Sequence, residues 1–476
     1  MADPINHKDE VLDALAIVSE SAEQYLRSLP NRLVYDATQE SKLEGLRVPV
    51  PEEGVGTLKA VKQLADLASA TATASAGPRF YHFVIGGSTP AALAADWLVP
   101  VLDQNAAMRA SSVFAHEVEA TTIRWLIELL DLPKIWGGVL TASATLANFT
   151  GLGAATHWWA ERLGVDYAGS GISGLGRMPV LSSGYVHASA RKALQMLGHG
   201  RDCVETFSSD DAGRVDLGAL EGRLEEIDGP AVLVATVGEV NAGDSDPVDD
   251  FADLAERFGS WLHVDGAFGV FARLSPNTSS AASGVERADS LAADAHKWLN
   301  VPYESGFALL AEPQRLGKAF GYPGAPYLPS PDDPGSGFMF FGPESSRRAR
   351  ALPIWATLAA YGRSGYRQLV ERHCELARHL ADRVDESPDL ERLADVPLNI
   401  VCFRFTQSGL GDDRLDEINR KIGETLLDDG RVFAGTTTYR GRVALRPAVS
   451  NWMTTQQDVD YFVDVVREIG ARAAAS

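Results

Sequence analysis

The sequence predicts an α/β protein built on a central, mostly parallel sheet, with a smaller α+β domain towards its C-terminal end. Three observations predict it. Short apolar runs alternate with helical segments through the middle of the chain, the pattern of strands covered by crossover helices. At 476 residues the chain exceeds one ordinary domain and can bury a large core. Beyond about residue 350 the alternation stops, and a long helical stretch leads to two strand-like runs and a last helix.

Taken in order, apolar residues at Val11, Leu12, Leu15, Val18, Ala22, Tyr25, Leu26 and Leu29 have helical spacing, and Pro30 ends that helix. A Pro/Gly/Glu joint at 49–54 precedes a second helix over 57–70. Residues 1–77 make an amphipathic helical segment too small for a core of its own, which has to pack on another unit or subunit. From Pro78 an aromatic stretch, Phe80-Tyr81-His82-Phe83, meets a glycine turn and a helix over 91–102, with another over 116–130. Strand-like runs follow at 138–140, 178–181, 231–235, 261–264, 290–292 and 306–310, separated by helices at 147–162, 189–197, 217–227 and 249–258. These assign a large α/β domain to 78–350, closing on a Pro/Gly-rich loop at 321–342 that is long enough to be functional. Residues 351–476 hold a helix starting near Pro353, a long helix over 365–386, strands at 399–405 and 442–446, and a closing helix over 457–469.

Composition narrows the function. Hydrophobic residues make up 45% and charged residues 22%, as in ordinary globular proteins. The net charge of −21 opposes nonspecific binding to nucleic acid or to an anionic membrane. Cys203, Cys374 and Cys402 are scattered, with no CxxC and no Cys/His cluster, so neither a metal site nor a disulfide framework is indicated. The first residues lack the layout of a secretion signal. Asp96 interrupts the longest membrane-like run. A soluble cytoplasmic protein is expected.

Ligands in such sheets gather at the carboxyl ends of strands, and four features fall there. Residues 141–148 join a strand to a helix through small and hydroxyl side chains. A helix N-terminus offers amides and partial positive charge to a phosphate, with Ser143 or Thr145 as further donors, although an ordinary helix cap has the same composition. His187 sits where a strand passes into a helix, as a ring-stacking, packing or capping residue. Asp265 ends the run Trp261-Leu262-His263-Val264, beside small Gly266 and Ala267 that leave room for a flat ring. Lys297 follows one short strand later, in Asp294-Ala295-His296-Lys297. A lysine can hold an aldehyde as a Schiff base, and a carboxylate can keep a pyridine nitrogen protonated, which together suit pyridoxal phosphate (PLP).

The order of phosphate turn, His187, strand-end Asp265 and His296-Lys297 resembles the PLP-dependent group II decarboxylases, the family of aromatic amino acid, glutamate and diaminobutyrate decarboxylases. The resemblance runs from about Pro78 to Trp452 and is closest at 263–268 and 294–300. It implies the PLP-dependent transferase fold (aspartate aminotransferase-like, fold type I), and a carboxy-lyase that acts on an L-amino acid as a homodimer. It further implies that Lys297 forms the Schiff base, His296 lies near the phosphate, Asp265 pairs with the pyridinium, Ala267 packs under the ring and His187 stacks on it. Ala142 and Ser143 fall in its phosphate turn. Two departures stand out. The family's turn usually reads Ser-Gly-Gly-Ser-Glu-Ala-Asn, where this chain has Ala142-Ser143-Ala144-Thr145-Leu146-Ala147-Asn148. Many members also carry a proton-donating tyrosine in the loop before the arginine-rich helix. Counting back from Arg347-Arg348 gives Phe338, with Phe340 and Phe341 nearby, none of which can donate a proton, and Tyr322, Tyr327, His187 or water as the other candidate donors. Phenylalanine there accompanies oxidative decarboxylation–deamination in some relatives. That outcome, transamination and carbon–carbon lyase chemistry are the alternatives on this cofactor. The intact Asp265, His296 and Lys297 set argues against a non-catalytic protein. Arg446 reads either as a clamp for a substrate carboxylate or as a domain-interface ion pair.

Overall fold

Val232–Thr236, Trp261–Asp265 and Ser290–Asp294 each consist of five buried residues in a row, which only a sheet covered on both faces accommodates. They form the middle of a seven-stranded sheet. In the computed structural model, which describes residues 8–322 and 337–475, its strands are β1 (Gly137–Thr141), β2 (Val180–Ser182), β3 (Val204–Thr206), β4 (Val232–Thr236), β5 (Trp261–Asp265), β6 (Ser290–Asp294) and β7 (Gly306–Leu310). Their order is β1-β7-β6-β5-β4-β2-β3. The neighbours from β3 to β6 pair in parallel, whereas β7 runs antiparallel to both β6 and β1. The expected mostly parallel sheet is thus present, with one reversed strand. That reversal brings Gly306, the first residue of β7, level with Thr141 and Asp294, the last residues of β1 and β6.

The helices are α1 (Glu10–Ser28), α2 (Thr57–Thr71), α3 (Pro90–Leu102), α4 (Val113–Leu129), α5 (Ala144–Arg162), α6 (Tyr167–Ser170), α7 (Ala188–Met196), α8 (Leu217–Glu226), α9 (Val248–Phe258), α10 (Gln314–Phe320), α11 (Ala351–Asp385), α12 (Asp412–Asp429) and α13 (Gln456–Ala475). Helix α5 lies unusually close to the sheet because Gly151 has no side chain. A Cβ there would stand 2.8 Å from Cε1 of His263 on β5. We expect Gly151→Ala to cost about 1–3 kcal/mol through that overlap, measured as a shift of the denaturant midpoint at unchanged slope.

A second sheet, in the order β10-β11-β9-β8, joins β8 (Leu390–Arg392), β9 (Phe403–Phe405), β10 (Thr436–Tyr439) and β11 (Arg442–Leu445). Its buried face, with Phe403, Phe405 and Leu445, shares a separate core with α12, α13 and the second half of α11. The two helices expected after Pro353 are two segments of α11, parted at Gly362, whose φ of 60° and ψ of −174° break the helix. Among the described residues no helix is long and apolar enough to cross a membrane.

Candidate functional site

The chemistry-bearing residues converge at the carboxyl ends of β1, β5 and β6. Asp265, at the end of β5, is 2% exposed, a costly place for a carboxylate unless donors surround it. Asn148, on α5, supplies one: its Nδ2 donates to Asp265 Oδ2 at 2.9 Å, and the Ser189 hydroxyl lies 3.4 Å from the same oxygen. The Ala267 amide donates to Oδ1 at 3.2 Å. No lysine or arginine forms an ion pair with Asp265 among the described residues. One carboxylate oxygen is therefore well supplied with donors, and the other keeps acceptor capacity.

His187 caps α7, with Nδ1 accepting the Ser189 amide at 3.2 Å. That bond fixes the tautomer of the neutral ring and leaves the proton on Nε2. Burial lowers its pKa, and the charges of Asp265, Lys297, Arg446 and Asp294 all act on it. The Ser189 hydroxyl, 2.7 Å from His187 Nδ1 and 3.4 Å from Asp265 Oδ2, joins these two residues although they lie far apart in sequence.

Lys297 Nζ stands 3.2 Å from Asp294 Oδ2. Asp294 is 3% exposed and ends β6. Its Oδ1 accepts the Ala144 amide, the first amide of α5, and lies 3.5 Å from His296 Nε2. His296 Nδ1 accepts the Ser305 amide, so Nε2 carries the proton that faces Asp294. Asp294 consequently links the lysine to the turn entering α5. The close fit of that turn requires Gly306, where a Cβ would stand 2.7 Å from the Ser143 backbone.

The expected residues divide in the following way. Asp265, His187, His296, Lys297 and Ala267 are gathered at the site. Ala267 bridges two of its carboxylate segments, donating to Asp265 and accepting the Asp294 amide at 2.9 Å. Ala142 and Ser143 lie in the strand-to-helix turn, where the Ser143 hydroxyl caps α5 at the Leu146 amide. Asn148, Ser189 and Asp294 join the site without having been singled out from the sequence. The sole signals were a polar residue on an otherwise small-residue helix face and a carboxylate one helical turn before the lysine. Arg446 Nη1 donates to the Val240 carbonyl at 3.0 Å, and neither an ion pair nor a clamp geometry is fixed by that contact. Phe338 is 8% exposed, with its ring 5.2 Å from His116 and the Arg347 guanidinium 5.9 Å above it. It fills core space between α4 and the segment entering α11. Tyr327 lies outside the described residues, and Tyr322 packs edge-on against Phe340.

The set of side chains fits PLP. A buried carboxylate with an open acceptor site and no cationic partner calls for a cationic ring nitrogen. A lysine amine stands in the same space, beside the strand-to-helix turn that opens α5, whose Ala144 amide is given to Asp294. Comparison with known proteins agrees. Residues 42–406 match the family described as the pyridoxal-dependent decarboxylase conserved domain. An aromatic-L-amino-acid decarboxylase of Bacillus atrophaeus is 30% identical over 390 residues, covering 80% of this chain and 79% of the relative. An L-2,4-diaminobutyrate decarboxylase of Rhizobium meliloti is 30% identical over 447 residues, covering 91% and 87%. A phenylacetaldehyde synthase of Petunia hybrida is 25% identical, covering 82% and 80%. The crystal structure of Oryza sativa TDC with PLP and tryptamine superposes with a TM-score of 0.89 at 24% identity over 99% of each chain, a likeness of fold. The chain belongs to the pyridoxal-dependent decarboxylase family and is a PLP-dependent amino acid decarboxylase, a lyase.

Proposed function

We propose that the protein removes the α-carboxylate of an aromatic L-amino acid as carbon dioxide and releases the corresponding amine. The observation that carries the decarboxylation is the buried Asp265 carboxylate sharing one space with Lys297. When bound, the cofactor supplies a protonated pyridine ring that accepts the electron pair left as carbon dioxide departs. The residues do the rest. Lys297 would hold the cofactor through its amine. Asp265, with Asn148 and Ser189 on Oδ2, would accept from the ring nitrogen through Oδ1. His187, whose Nδ1 is held by the Ser189 amide, and Ala267 would hold the ring, and His296 with the turn at Ala142 and Ser143 would hold the phosphate.

The preference for an aromatic side chain rests on His82 and Phe83. Phe80 and Tyr81 are core residues against Phe433 and Phe462. Phe83, in contrast, is 58% exposed with φ of 59°, and its ring centroid lies 3.5 Å from that of His82. Such strain in a bulky residue accompanies functional sites, and His82 lies within reach of the Arg446 charge.

The protein is further inferred to act as a cytoplasmic homodimer. Helix α1 is amphipathic yet buries none of its residues, and Leu12 is 77% exposed. Trp97, Leu98 and Val101 of α3 are exposed as well, so a second copy has apolar area to cover. Three unpaired buried cysteines suit a reducing compartment.

The test is a panel of aromatic, acidic and diamino L-amino acids, with carbon dioxide, amine, ammonia and hydrogen peroxide measured together. Amine equal to carbon dioxide, with aromatic substrates fastest, is the expected result. Peroxide and ammonia in step with carbon dioxide would replace this reading with oxidative decarboxylation–deamination to an aldehyde.

A further inference from the structure

Behind Asp265 lies a chain of hydrogen bonds that the reaction as described does not use. Trp261 Nε1 donates to Ser290 Oγ at 2.9 Å, and Ser290 Oγ lies 2.8 Å from His263 Nδ1. His263 Nε2 lies 2.8 Å from Asn148 Oδ1, and Asn148 Nδ2 donates to Asp265 Oδ2 at 2.9 Å. Ser290, His263 and Asn148 are 0% exposed. Every link runs between β5, β6 and the segment of α5 that Gly151 lets down onto the sheet.

The direction of this chain follows from its carboxylate end. An indole nitrogen can only donate, so Ser290 accepts from Trp261, and its hydroxyl proton is free to turn to His263 Nδ1 where that nitrogen is bare. Burial pushes the His263 pKa down to about 4, so the ring holds one proton, and that proton is on Nε2. It is given to Asn148 Oδ1, which turns the amide's Nδ2 towards Asp265. The Asp265 oxygen accepts this bond, so the amide orientation matches its acceptor role. The opposite His263 tautomer would set two acceptors face to face and rotate the Asn148 amide, presenting an oxygen to the carboxylate.

We propose that His263 is a positioning residue for the cofactor. By holding the Asn148 amide in one orientation, it keeps an N–H donor on Asp265 Oδ2 and leaves the acceptor capacity of Oδ1 for the ring nitrogen when the cofactor is bound. Ser290, which accepts from Trp261, supports the Nε2–H tautomer of His263 by donating to Nδ1. A chain of donors polarised in one direction strengthens its last bond, here the one on the carboxylate. The proposal rests on the PLP reading and concerns only the contact with the ring nitrogen.

The test compares protein freed of cofactor in binding PLP and an analogue with carbon in place of the ring nitrogen, by fluorescence titration. His263→Phe keeps the ring volume and removes both nitrogens. We expect it to weaken PLP binding about tenfold to a hundredfold while leaving the carbon analogue within about twofold, in line with loss of a bond to a charged group. Ser290→Ala, a smaller change that serves if His263→Phe fails to fold, should show the same selective loss to a lesser degree. His263→Gln, which keeps a donor near Asn148, should regain part of the PLP affinity. Equal weakening of both ligands, or of neither, overturns the proposal and leaves His263 a packing residue. A wild-type protein that binds neither ligand overturns the cofactor reading instead.

Discussion

Lys297→Ala is expected to abolish turnover, with a fall in rate of at least about ten-thousandfold, the scale of losing a covalent catalytic group. The alanine has no amine for the cofactor aldehyde. Its removal also strips Asp294 of a partner at 3.2 Å, leaving that carboxylate with the Ala144 amide and the His296 Nε2 proton. Those two donors suffice for folding, because Lys297 is partly solvent-exposed and its pairing with Asp294 is correspondingly screened. The measurement is carbon dioxide release by the purified variant, with borohydride reduction and mass analysis of the peptide containing residue 297. Wild type should retain the cofactor's mass on Lys297 and the variant should lack it. A variant that kept more than about one-hundredth of the wild-type rate would show that another amine does the work.

Asp265→Asn is expected to cost about tenfold to a thousandfold in kcat, since an opposite charge beside an ionisable group commonly moves its pKa by about 1–3 units and each unit is tenfold. Asparagine is close in size, but it must present one NH2 where the carboxylate presents two acceptors. Asn148 Nδ2 lies on one side and the Ala267 amide on the other, so one buried donor meets another in either rotamer. If the amide nitrogen turns to the ring, the pyridine proton is lost. If it turns to Asn148, the support of Oδ2 is lost. Asp265→Glu restores the charge and displaces it by about one methylene, and is expected to recover activity only in part. The decisive readings are kcat at saturating substrate and the visible spectrum of the bound cofactor. A spectrum and kcat both unchanged in Asp265→Asn would remove Asp265 from its role.

The middle of the fold was legible because runs such as Val232–Thr236 and Trp261–Asp265 are apolar without alternation, and helical periods separate them. The reversal of β7 was not, because a buried antiparallel strand has the same composition as a buried parallel one. Short β3, β8 and β10 escaped notice too, since their outer positions are polar or half-exposed. In the site, Lys297, His187 and Asp265 could be read from residue type at strand ends. Asn148 and His263 could not be paired from spacing, for they meet only where Gly151 allows α5 onto β5. Counting residues back from Arg347 gave Phe338 without showing that its ring is packed beside His116 and Phe341. Distance along a chain says little about depth in a core.

The Ala144 amide and the Asp294 carboxylate that accepts it stand 150 residues apart in the chain. The junction they make exists only once β1, β7 and β6 are side by side in register. A ligand held by the groups gathered around that junction therefore binds the completed sheet and no earlier form of it. Its binding free energy adds to the stability of the native state according to its concentration, so the supply of vitamin-derived cofactor sets how much of this protein persists as well as how fast it works.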